Sequence, residues 1–139
     1  LIVQKKLTST VDATNRSAEF IFTSWRQDMD VVYAGLDIVM LTSLNEGTPV
    51  SIMEAMSSAK PVVSTNAGGV AELIDSGNTG FVGTTKQQLT EQVTMLVEDT
   101  LKRNEIGSNA VQFATQQLSK AYEVEQLKKL YFELINQAR

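Results

Sequence analysis

Short apolar runs alternate with amphipathic stretches along most of this chain, the pattern of β-α units built around a parallel sheet. Leu1–Val3 and Phe20–Thr23 read as strands, with a short helix inside the polar stretch Gln4–Glu19, where Thr8, Ser9 and Thr10 are able to cap it. A helix is expected over Asp28–Leu36, with Val31, Val32, Ala34, Gly35 and Leu36 forming its inner face. Asp37–Leu41 is apolar after its first residue and reads as a central strand covered on both faces. The next helix runs from Pro49 to about Ser58, with Thr48 in the N-cap position and Pro49 as first helical residue. Pro61–Thr65 is a strand that opens on a residue with no ladder donor to lose. Val70–Ile74 follows as a short helix and Phe81–Val82 as a brief strand.

From Lys86 to the end the pattern is helical. Leu89, Val93, Leu96 and Val97 form one apolar stripe, and Leu127, Leu130, Tyr131 and Leu134 another on the last helix, with Ser119 as a cap between the final two helices. The order of elements predicts an α/β domain with a doubly wound parallel sheet and C-terminal helices, and 139 residues suit one domain. In such folds ligands sit beyond the carboxyl ends of the strands. Two loops qualify: LNEGTPVS after Leu41 and NAGGVAE after Thr65.

Composition narrows the chemistry. The chain has neither cysteine nor histidine, which removes thiol nucleophiles, Cys-zinc sites and the commonest general base. Catalysis must therefore draw on carboxylates, hydroxyls, Lys/Arg or backbone amides. A net charge of −4 argues against a nucleic-acid partner. There is no apolar run of about 20 residues to span a membrane and no secretory leader pattern. Neither G-x-G-x-x-G nor the P-loop pattern occurs, so hydride transfer and P-loop chemistry have no support.

Gly47 and Thr48 enter a helix whose first amides have no intrahelical acceptor. Those donors and the positive helix end suit an anion such as a diphosphate. Glu46 at its edge and Glu54 one turn inside would repel phosphate, so a ligand role for them means hydroxyls, as in a vicinal diol. By position alone, each acid reads first as an ordinary surface carboxylate. Gly68-Gly69 reads first as a tight turn, although it also permits close backbone approach. Glu72 suits the first turn of its helix without a ligand. Trp25 and Arg26 lie at the same edge, where packing for Trp25 reads ahead of stacking on a base.

EGTPVSIME, with seven residues between Glu46 and Glu54, is similar to the E-x7-E motif of retaining glycosyltransferases with the GT-B fold. The ordered set DMDVVYAGLD, NEGTP with EAM, KPVV and GGVAELI, spread over Phe22–Val82, resembles their family-4 type. The resemblance implies a Rossmann-like sheet forming the C-terminal half of a GT-B fold, with residues 1–139 as a nucleotide-sugar donor-binding domain. It implies that Glu46, as the catalytic residue of the set, lies near donor-sugar hydroxyls and that Glu54 binds the ribose. The amides of Gly47, Thr48, Val50 and Ser51 would lie near the diphosphate and donor sugar, and Trp25 and Arg26 near the base. The partner implied is a nucleotide-diphosphate sugar, in the cytoplasm, with no metal or other cofactor. Transfer would go to a glycan, lipid or other acceptor, and a lipid acceptor would bring the parent enzyme to a membrane surface.

This chain also departs from the pattern. The N-terminal acceptor domain and the first donor-domain strand are not recognisable, and Gln4, Lys5 and Lys6 stand where a glycine-rich loop is usual. Ala59 replaces a helix-ending glycine. The expectation is therefore an N-terminally truncated donor half that transfers no sugar alone. Two other classes compete with it. One is a non-catalytic nucleotide-sugar or protein-interaction module on the same fold. The other is a phospho-acceptor signalling domain, disfavoured because Asp37 begins its strand instead of ending it.

Overall fold

The computed structural model describes residues 21–137. Its elements are α1 (Met29–Ala34), β1 (Val39–Leu41), α2 (Val50–Ser57), β2 (Val62–Thr65), α3 (Val70–Leu73), β3 (Phe81–Gly83), α4 (Lys86–Glu98), α5 (Thr100–Gln117) and α6 (Lys120–Gln137). The three strands form a parallel sheet in the order β1-β2-β3, with Val39 opposite Val62 and Val63 opposite Phe81.

β2 shows why the fold is two-sided. Successive strand side chains point to opposite faces. Val62 enters a cluster with Tyr33, Ile52, Met56, Val70 and Ala110, whereas Val63 enters one with Phe81, Leu89, Leu96 and Ile106. α5 serves both clusters, through Ala110 and Ala114 on one side and Ile106 on the other. Each fully buried aliphatic side chain here contributes about 1.5–3 kcal/mol.

Local capping sets the helix starts. Thr85 Oγ1 accepts from the Gln88 amide at 3.2 Å, and Gln88 Oε1 accepts from the Thr84 amide at 2.9 Å. Asp99 accepts from Lys102 N at 2.9 Å, breaking the C-terminal helical run at a point the periodicity does not mark. Ser119 accepts from Tyr122 N at 3.3 Å, as expected of a cap between the last two helices.

Several expectations need correction. Leu1–Val3, the Gln4–Glu19 helix and Phe20 lie outside the described residues. Ile21–Thr23 carry no ladder, and Ile21 is 87% exposed; a strand this short requires a paired neighbour and covering helices, which the described residues do not supply. β1 is half-exposed instead of fully covered, because among the described residues it pairs on one side only. In α1 the inward residue is Tyr33, not the predicted set, and Val31 faces out. The helix after β1 starts one residue late, with Pro49 as N-cap in extended backbone and no capping side chain. Val97 is 60% exposed, off the stripe that buries Leu89 and Leu96. The α6 stripe, Leu127, Leu130, Tyr131 and Leu134, is exposed, since nothing among the described residues packs on it.

Candidate functional site

The loops after all three strands converge at the carboxyl edge of the sheet, joined mainly through backbone. Thr65 Oγ1 donates to the Ser43 carbonyl at 2.6 Å, and Asn66 N donates to Gly83 O at 3.2 Å. Gly69 N donates to Gly47 O at 3.0 Å. Gly68 takes φ +53°, and a Cβ there would stand 1.7 Å from the Glu46 carbonyl oxygen. The same atom on Gly69 would be 2.6 Å from Gly47 O. Gly68-Gly69 is thus more than a turn: it is a seat for the backbone of Glu46 and Gly47, and only residues without Cβ fit it.

Above that seat rises the amino end of α2. Pro49 supplies no capping side chain, so the first amides of the helix keep free donors beside the positive end of the dipole. Gly47, Thr48 and Val50 are exposed and Ser51 is half-buried, which leaves this end open. Glu46, half-buried, precedes it; Glu54, exposed, stands one turn along. The two acids thus flank an open helix end.

Among the described residues, neither of two neighbouring cavities holds both. Glu54 lines a cleft of about 370 Å³ between α1 and α2, together with Met29, Asp30, Tyr33, Met53 and Leu118. A second pocket of about 230 Å³ lies at the strand ends, lined by Ser43, Leu44, Thr65, Asn66, Gly83 and Thr84. Glu46 lines neither. The structure adds Tyr33, which the sequence reading passed over: its buried ring brings its hydroxyl 3.2 Å from Glu54 Oε2 and 3.1 Å from Ser51 O. Burial, then the neighbouring Glu54 carboxylate, pushes the phenol up to about 12. The phenol therefore stays protonated at neutral pH and available to donate.

Trp25 is 85% exposed, so the packing role expected first is not seen among the described residues, and Arg26 makes a two-bond ion pair with Asp28. That pairing lowers the Asp28 carboxyl and turns it away from capping α1. Neither Trp25 nor Arg26 lines the α1–α2 cleft. Among the described residues no cluster of three or more acidic side chains is placed to hold a metal ion, and no helix is long and apolar enough to cross a membrane.

The family profile described as "Glycosyl transferases group 1" matches residues 3–113. Over 93 residues the chain is 34% identical to the N,N'-diacetylbacillosaminyl-diphospho-undecaprenol alpha-1,3-N-acetylgalactosaminyltransferase of Campylobacter jejuni, covering 66% of this chain and 25% of that protein. Crystals of Anabaena HepE in complex with UDP superpose with a TM-score of 0.85 at 31% identity, over 93% of this chain and 36% of that one. The C-terminal domain of the group 1 glycosyl transferase LpcC from Francisella tularensis superposes at 0.76 with 27% identity, covering 86% and 64%. The chain spans about a quarter to two-fifths of the length of the curated relatives it matches.

Proposed function

Because this chain belongs to the glycosyl transferases group 1 family and has the fold of its C-terminal domain, we propose that it is the donor-binding part of a retaining nucleotide-sugar glycosyltransferase. The observation that carries this reading is the open amino end of α2, seated on Gly68-Gly69 and flanked by Glu46 and Glu54. The diphosphate of the donor binds at that helix end, where amides at Gly47, Thr48, Val50 and Ser51 offer hydrogen bonds. As the sugar leaves, negative charge grows on the phosphate oxygens, and donors already oriented toward it stabilise the transition state without reorganising. Glu46 accepts from hydroxyls of the donor sugar and Glu54 from those of the ribose. Trp25 and Arg26 meet the base.

Residues 1–139 act in this reading as one donor-binding domain, and the acceptor is held by a domain outside it. Donor and acceptor must be brought together for transfer. The chain by itself therefore binds the donor and transfers no sugar, and turnover by the isolated chain would refute that. The chemistry draws on charges and amides of the chain and needs no metal. In this reading the donor is drawn from the cytoplasm.

The test is a thermal-shift panel of UDP-, GDP- and ADP-sugars, since a ligand selective for the native state raises the midpoint. One nucleotide class is expected to raise it in a dose-dependent manner. A flat response across all three overturns the reading.

A further inference from the structure

Glu54 is exposed and carried on a helix, so in isolation its side chain would sample several rotamers and would lose that freedom on binding a ligand. It is not isolated. Tyr33, only 4% exposed and anchored in the core with Ile52 and Met56, projects its hydroxyl from α1 across to α2. The hydroxyl has one proton and two acceptors in reach, Ser51 O at 3.1 Å and Glu54 Oε2 at 3.2 Å. Ser51 O lies within α2, where the helical amide four residues on already uses it. The carboxylate is the stronger acceptor because it is charged.

We infer that Tyr33 is a positioning residue for nucleotide binding: it holds one oxygen of Glu54 so that the other is presented, already oriented, to the ribose diol. The inference rests on the reading of Glu54 given above. Oε2 is engaged by the buried ring and Oε1 is left for the ligand. Asp30, in the same cleft, has no such tether among the described residues, which singles out Glu54 as the acid prepared for a defined partner.

The experiment titrates the full chain with UDP, GDP and ADP, then continues with the tightest of the three. Tyr33→Phe keeps the ring and removes only the donor. It is expected to weaken binding roughly three- to tenfold, the scale of ordering one long side chain on binding, with its thermal midpoint showing it folded. Two further measurements separate positioning from mere packing. In a Glu54→Ala background, Tyr33→Phe should have no further effect. With the 2′-deoxy form of the same nucleotide, which lacks one hydroxyl of the diol, the Tyr33→Phe penalty should shrink toward none. An equal loss in the Glu54→Ala background, or an equal loss with the deoxynucleotide, overturns the positioning role. Unchanged affinity in Tyr33→Phe while Glu54→Ala binds poorly overturns it too and leaves the donor-site reading standing. Failure of the unmodified chain to bind any of the three nucleotides removes both.

Discussion

The two ends of α2 are finished in opposite ways. At its carboxyl end the backbone closes on itself. Lys60 N donates to Ala55 O at 2.9 Å and Ala59 N to Met56 O at 3.0 Å, the paired bonds of a Schellman motif, with Ala59 in the left-handed region at φ +55°. α5 then closes over this turn so tightly that a Cβ on Gly107 would be 2.3 Å from Ala59 O. At the amino end nothing is closed: no side chain caps it, and Gly47, Thr48 and Val50 are exposed. Helix ends left without partners cost stability unless water or a ligand supplies them. One end is closed by the fold, and the other is the end to which the proposed function assigns the donor.

The sharpest way to break that contrast is at the seat beneath the open end. Gly68→Ala forces a left-handed Ala and places a methyl against the Glu46 carbonyl, a backbone atom that must move bodily. A loss of about 2–4 kcal/mol is expected, the sum of a strained residue and an overpacked contact, together with loss of nucleotide binding as Glu46 and Gly47 are displaced. A urea midpoint shifted at constant slope would measure the first and a titration the second. Stability and binding both equal to the parent would mean that the two loops are not joined as described.

Next in size is Glu54→Ala. It acts on the open end alone and should weaken donor binding by about 1.5–3 kcal/mol, the range for hydrogen bonds to a charged group. Its stability should fall by no more than about 1 kcal/mol, the scale of one hydrogen bond, because the Tyr33 hydroxyl keeps Ser51 O as an acceptor. Unchanged affinity in calorimetric titration would take Glu54 out of the site. Gly107→Ala is the counterpart at the closed end. α5 must back away from Ala59, at about 1–2 kcal/mol once the better helix propensity of Ala is allowed for. Binding should hold at the parent value, so a variant that folds well yet binds poorly would show that the two ends are coupled.

The contrast between the ends also marks what was legible in the sequence. Thr48-Pro49 announced a helix start, and the start came within one residue of its place, because turn and cap preferences act locally. Gly68-Gly69 announced freedom but not its use: the partner is the backbone of Glu46 and Gly47, some twenty residues earlier, and spacing holds no record of such a contact. Tyr33 escaped for another reason. In MDVVYA the two valines looked like the inner face, yet a six-residue helix docks through whichever residue meets the core, and that is the tyrosine. On α6 the period was read correctly and the burial was not, since a stripe needs something to cover it. The acids at 46 and 54 were found by motif, while their placement in separate surroundings belongs to the folded chain.

The smallest effect bears on the closed end most directly. Ala59 stands where the resemblance leads one to expect glycine, and its φ of +55° shows what that costs. A non-glycine residue in this region carries about 1–2 kcal/mol of strain. Glycine would release it, but would also loosen the unfolded chain by about 0.4–1 kcal/mol. Ala59 is exposed, so no buried methyl is lost in the exchange. Ala59→Gly should therefore gain about 0.5–1 kcal/mol and raise the melting midpoint by roughly 2–4 °C. Nucleotide affinity should not change, because the Schellman bonds are backbone bonds that glycine makes equally well. A midpoint that stays level or falls would mean that the close approach of Gly107 demands alanine's stiffer turn, and the carboxyl end of α2 would then be held by α5 more than by its own cap.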